Sequence, residues 1–78
     1  MTEPTIVSNP KVLFGKPTVA GTRISVELIL EELGAGTSVD DLLREYPRLT
    51  RDQVLAAIRF AAQAIRSDAI YPFAGVPV

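Results

Sequence analysis

Apolar positions recur along this chain in two rhythms. From Val26 to Tyr46 they fall at helical spacing, twice over. Val26, Ile29, Leu30 and Leu33 stand at i, i+3, i+4 and i+7, and Val39, Leu42, Leu43 and Tyr46 repeat that interval. A third stripe, Val54, Ile58, Ala61 and Ile65, is flanked by Leu55 and Ala62, with Asp52, Ala56, Arg59, Gln63 and Arg66 opposite. This predicts a last helix running to about Ser67, the longest in the chain. Before Ser25 the apolar residues come in short β-leaning clusters: Thr5 to Val7, Val12 to Phe14, and Thr18-Val19. They read as a small hairpin or arm, which must pack on the helices or on another subunit to be stable.

The punctuation fits these elements. Ser25 and Ser38 are expected N-caps, because a serine hydroxyl accepts from an unpaired amide of the first turn. Glu27, and Asp40 with Asp41, sit near the positive ends of the two helix dipoles. Gly34 is the expected left-handed residue closing the first helix. Pro47 ends the second. Thr50 opens the third, and Gln53 three residues on completes a capping box. The fold class expected is mainly α, a three-helix helix-turn-helix core with a short N-terminal β arm. Within one domain the parts are 1–24 (arm), 25–67 (core) and 68–78 (an apolar tail).

Composition changes the picture in two ways. An apolar fraction of 47% is high for 78 residues, which suggests that a partner covers some of it, most simply a second copy. The tail residues Ile70, Tyr71, Phe73 and Val76 are the candidate partner-binding group. Their bland alternative is a tail folded back on its own core. Pro72 and Pro77 predict an extended tail. The net charge of −1 is unevenly spread, with a balance of −3 over residues 1–47 and +2 over 48–78.

The chain has neither His nor Cys. That removes most metal sites, the His-assisted nucleophiles and thiol chemistry. Glu31-Glu32 and Asp40-Asp41 are adjacent on helices, so their side chains diverge by about 100° and read as a solvated acidic face. Gly15-Lys16-Pro17 lacks the spacing of a phosphate loop. No enzyme, cofactor, metal or small-molecule substrate is expected. No apolar run reaches the roughly 20 residues of a membrane span, and no signal peptide is visible, so a cytoplasmic location is expected.

DNA is the expected partner of the helix pair. A helix-turn-helix lays its second helix in the major groove with the N-terminal residues toward base edges. Arg48, Thr50, Arg51 and Gln53 stand at that entrance, Arg59 continues the exposed face, and Arg44 is in reach of a phosphate. Each has a structural alternative: Thr50 and Gln53 as a cap, Arg44 as a complement to the helix dipole, Arg51 and Arg59 as solvated residues. Low net charge argues against tight non-specific binding, and a dimer restores it by presenting two Arg groups.

The run Gly15-Lys16-Pro17-Thr18-Val19-Ala20-Gly21-Thr22-Arg23-Ile24 resembles the G-K-P-x-I-x-G-T-R-I signature of domain-of-unknown-function family 433, associated with VapB-like antitoxins. Ile29-Leu30, Leu33, Gly36-Thr37-Ser38, Tyr46-Pro47, Leu49-Thr50, Val54 and Ala57 continue that pattern, so the resemblance covers roughly residues 5–66. It implies a homeodomain-like core behind a β arm, usually dimeric. It also implies an antitoxin that binds a PIN-like ribonuclease toxin and its own operator DNA. Phe14 departs from it, standing where the family often has a second Gly, and the tail is short beside the toxin-wrapping tails of other antitoxins. Within the signature, Gly21 is read as a tight turn, Thr22 as a local cap and Ile24 as a core residue. Arg23 is read as an ion-pair partner of Glu27, or alternatively as a DNA arm contact. The leading expectation is a dimeric operator-binding antitoxin. The rival is an interaction or dimerisation module without DNA contact.

Overall fold

The computed structural model describes residues 5–68, with side chains to Arg66. Among these residues there are three helices and one two-stranded antiparallel sheet. In chain order they are β1 (Ile6–Val7), a single 3-10 turn (Leu13–Gly15), β2 (Thr18–Val19), α1 (Val26–Gly34), α2 (Val39–Glu45) and α3 (Arg51–Asp68). None of these helices is long and apolar enough to cross a membrane.

The sheet is small but held on both sides. Ile6 lies opposite Val19 and Val7 opposite Thr18. After β2 the chain turns at Gly21 and comes back alongside it, so that Thr18 bridges Ser25 and the Val19 amide donates to the Ile24 carbonyl at 2.9 Å. The turn needs φ +79° at Gly21, a value costly for any residue with a Cβ. Thr22 locks it: its hydroxyl donates to the Val19 carbonyl at 2.8 Å and accepts from the Ile24 amide at 3.0 Å. Thr18 and Val19 are consequently buried, and Ile24 packs against the core. The reading of the Gly-Thr-Arg-Ile segment holds for Gly21, Thr22 and Ile24.

The cap assignments hold as well. Ser25 accepts from the Leu28 amide, and Ser38 from the Asp41 amide. Thr50 and Gln53 form the full reciprocal box, at 3.2 Å and 2.9 Å. The end of α1 differs from expectation. Gly34 is the last helical residue, and Gly36 takes the left-handed conformation at φ +101°. The Thr37 amide reaches the Glu32 carbonyl and the Gly36 amide the Leu33 carbonyl. This is a Schellman closure, two residues later than predicted.

Val12 to Phe14 is not a strand. Leu13, Phe14 and Gly15 all have positive φ (50°, 57° and 84°), and Phe14 is fully exposed. Phe14 holds this turn in the left-handed region at a cost in backbone strain.

The core comprises Val19, Val26, Ile29, Leu42, Leu49, Val54 and Ala57, drawn from β2, the three helices and the connection before α3. Ile6, Leu30, Leu33, Val39, Leu43 and Tyr46 pack around it. The first two predicted stripes are therefore correct. The third is rotated: α3 turns Val54, Ala57 and Ala61 inward, while Ile58 and Ile65 are exposed. Two alanines face the core because α1 and α2 bring larger side chains there, leaving space only for a methyl group.

Candidate interaction site

The arginines expected to read DNA stand in two different situations. Arg44 forms an ion pair with Asp41 one turn earlier in α2, and Arg51 forms one with Asp40 in the first turn of α2. Thr50 and Gln53 are engaged in the cap. Arg48 instead points toward the arm and donates to the Gly21 carbonyl at 3.5 Å. Arg59 is exposed on α3 and makes no ion pair among the described residues. Four of the six candidates thus have structural partners within the α2–α3 unit.

Arg23 does not pair with Glu27. Lys16 takes that carboxylate at 2.9 Å across the space between the Gly15-Lys16-Pro17 turn and α1. Lys16 reaches α1 from the turn before β2, whereas Arg23 lies before the Ser25 N-cap, outside the helix. The hydrogen bond to Glu27, with its negative charge, raises the Lys16 pKa above the ordinary lysine value. Asp41 is held below the usual carboxylate range, first by the Arg44 hydrogen bond and then by its Ser38 partner and the Arg44 charge. Both groups are at the surface, so neither shift marks a catalytic environment. The tail candidates Ile70, Tyr71, Phe73 and Val76 lie outside the described residues.

Rotation of α3 creates a feature that the predicted stripe conceals. Leu55, Ile58, Ala62 and Ile65 are all exposed, with Leu55 at 42%, Ile58 at 39% and Ile65 at 57% of full accessibility. Their spacing is 3, 4 and 3 residues, the interval of a coiled-coil seam. With Leu55 and Ala62 at the first heptad position and Ile58 and Ile65 at the fourth, Asp52, Arg59 and Arg66 all fall at the fifth. These three are exposed too. The signal is present in the sequence: the heptad interval overlaps the predicted stripe at Ile58 and Ile65 and differs in the residues between them. Ile65 also lines, with Phe60, Ala61 and Ala64, a shallow apolar groove of about 400 Å³ against Pro17, Val26 and Leu30.

Comparison with known proteins agrees with this architecture. A family described as "Protein of unknown function (DUF433)" matches residues 6–61. The uncharacterized protein y4eO of Sinorhizobium fredii (strain NBRC 101917 / NGR234) is 36% identical over 62 residues, which are 78% of this chain. The match spans only 28% of that relative's length. A crystal structure of a DUF433 member protein from Anabaena variabilis ATCC 29413 superposes with a TM-score of 0.75 at 28% identity. It covers 81% of this chain and 62% of that one. The residues that build the arm, the Gly21 turn and the three-helix core all lie within the matched span, and the chain belongs to the DUF433 family.

Proposed function

We propose that this domain is a dimeric protein-interaction module whose α3 pairs with α3 of a second copy. The single observation that carries the reading is the exposed seam Leu55, Ile58, Ala62 and Ile65 on a helix whose other apolar face already serves the core. A seam of eleven residues is about 16 Å long, short for a free coiled coil. Here the core already holds α3 in shape, so association does not have to meet the cost of helix formation. Ala62 at the centre permits close approach of the two helices.

Charge selects the orientation. In a parallel pair the fifth heptad position faces the seventh, here Val54 and Ala61, which are engaged in the core. In an antiparallel pair the fifth positions face each other. Asp52 then meets Arg66 of the second copy, twice by symmetry, and these two attractions outnumber the one repulsion between the Arg59 side chains at the axis. The chain has no cysteine, so single substitutions report orientation directly. Under mild oxidation, Leu55→Cys mixed with Ile65→Cys should cross-link, and Leu55→Cys alone should not. Self-linking of Leu55→Cys would indicate a parallel pair and contradict the orientation.

A second reading is an operator-binding, VapB-like antitoxin with a homeodomain-like helix-turn-helix and a PIN-like ribonuclease as partner. Its specific support is the short 46–50 connection between two capped helices, with Arg48 and Arg59 outside any ion pair among the described residues. On this reading α3 enters the major groove, and Arg51 and Arg44 exchange their carboxylates for phosphate. Binding to the DNA upstream of the coding frame, measured across a salt series, tests it. Replacing one phosphate-binding arginine by glutamine should flatten the salt slope by about 1. Co-purification with a ribonuclease encoded beside it tests the toxin half.

A further inference from the structure

A cleft runs between the arm and the Pro47-Arg48 turn, with a volume of about 620 Å³. Val7, Val12 and Ile24 supply apolar surface to it, and Arg23 and Arg48 stand at its edge. No carboxylate lines it among the described residues. Neither arginine makes an ion pair among the described residues, in contrast with Lys16, Arg44 and Arg51, which all do. Arg48 lines the cleft and lies 3.5 Å from the Gly21 carbonyl.

The guanidinium groups of Arg23 and Arg48 are the charged donors of this cleft, and its threonine hydroxyls bring no free proton to it. The Thr18 and Thr22 hydroxyls already donate to the Val7 and Val19 carbonyls, and Thr22 also accepts from Ile24. Asn9 uses its side-chain oxygen to accept from the Lys11 amide at 2.9 Å, which leaves its NH₂ to donate. The backbone amides of Gly21 and Arg23 reach no acceptor among the described residues. Two guanidinium groups and a carboxamide therefore stand with the apolar side chains around the cleft.

We infer that this cleft binds an extended peptide segment in which carboxylates alternate with apolar side chains. Alternation is the relevant pattern because successive side chains of an extended peptide point in opposite directions. Apolar side chains then lie on Val7, Val12 and Ile24, and the carboxylates reach the arginines at the edge. Charge-assisted bonds to guanidinium supply orientation, and the apolar side chains supply contact area. A DNA backbone satisfies the donors but leaves that apolar surface uncovered, so the peptide is favoured. This inference does not depend on the α3 dimer.

The test is fluorescence anisotropy with the intact protein and a labelled octapeptide of alternating Val and Glu. The parallel arms are an alternating Val and Lys peptide and a labelled DNA duplex of about 20 base pairs. The acidic peptide should bind, the basic one should not, and unlabelled duplex should fail to displace the acidic peptide. Arg23→Gln and Arg48→Gln should each weaken binding about two- to fivefold, in keeping with exposed charge pairs. Circular dichroism of the variants should be unchanged. Amide chemical-shift changes in the wild-type protein should centre on Val7, Val12, Thr22 and Ile24, a readout independent of any variant. Equal binding of both peptides, no binding of the acidic one, or its displacement by duplex with the same dependence on Arg23 and Arg48 would overturn the inference.

Discussion

The Arg51 guanidinium, on the first residue of α3, is paired with the Asp40 carboxylate in the first turn of α2. The pair links the two helices across the Tyr46–Thr50 connection. It also neutralises an arginine that the second reading assigns to DNA. Both partners are more than half exposed, so the link contributes little to stability and yields readily to a stronger anion. A double-mutant cycle with Asp40→Asn and Arg51→Gln should give a small favourable coupling. It should vanish at 1 M salt, where the screening length is about 3 Å. A coupling that persists there would mean the pair is less solvated than its exposure indicates.

Asp41 predicts an acid sensitivity. Its pKa is lowered in the folded chain by Arg44 and Ser38, so its contribution is present above the ordinary carboxylate pKa of about 3.9 and is lost as pH falls through the folded value. Lys16 works in the opposite sense. Its pKa is raised by Glu27, so its contribution is present below the ordinary lysine pKa of about 10.4 and is lost as pH rises through the folded value. Urea midpoints measured against pH should show Asp41→Asn flattening the acid limb and Lys16→Met flattening the alkaline limb. An unchanged limb in either variant would contradict that assignment.

Two glycines two residues apart should respond to alanine with opposite sign. Gly34 is helical, and an added Cβ meets nothing within 4 Å, so Gly34→Ala should stabilise by about 0.5–1 kcal/mol. Gly36 has equally open space but φ +101°, so Gly36→Ala should destabilise by about 1 kcal/mol or more. Chemical denaturation of both variants checks the pair. The same sign in both would refute the Schellman closure at Gly36.

Phe14 is exposed at 100% with φ +57°, so its side chain gains nothing from the fold while its backbone is strained. Phe14→Gly should leave stability unchanged or raise it by up to about 1 kcal/mol, the relief of strain being partly offset by the entropy of the unfolded glycine. A loss above about 1 kcal/mol would show that the ring packs on something in solution.

Much of this architecture is legible in the residues. Serine caps, the Thr50–Gln53 box and the Pro47 break are local chemistry, and local hydrogen bonds decide them. The α1 and α2 stripes are legible because each of those helices buries only one face. The rotation of α3 is not, because Leu55, Ala57, Ile58 and Ala61 offer two overlapping apolar faces. Only the side chains brought in by α1 and α2 decide which face enters the core. The pairing of Glu27 is hidden for a similar reason. Arg23 and Glu27 are four apart, yet Arg23 lies outside the helix, and Lys16, eleven residues away, reaches the carboxylate. The cleft between Arg23 and Arg48 joins residues twenty-five positions apart, and no spacing rule announces it.

The reading rests on Leu55, Ile58, Ala62 and Ile65 of α3, beside its core-facing residues, forming a self-association seam. Sedimentation equilibrium over a wide concentration range tests it most directly, with wild type compared to Ile58→Ser and Ile65→Ser. The prediction is a reversible monomer–dimer equilibrium for the wild type, and monomers for both variants with helical content retained, because neither side chain belongs to the buried core. A wild type that stays monomeric throughout, or variants that dimerise as tightly as the wild type, would contradict it.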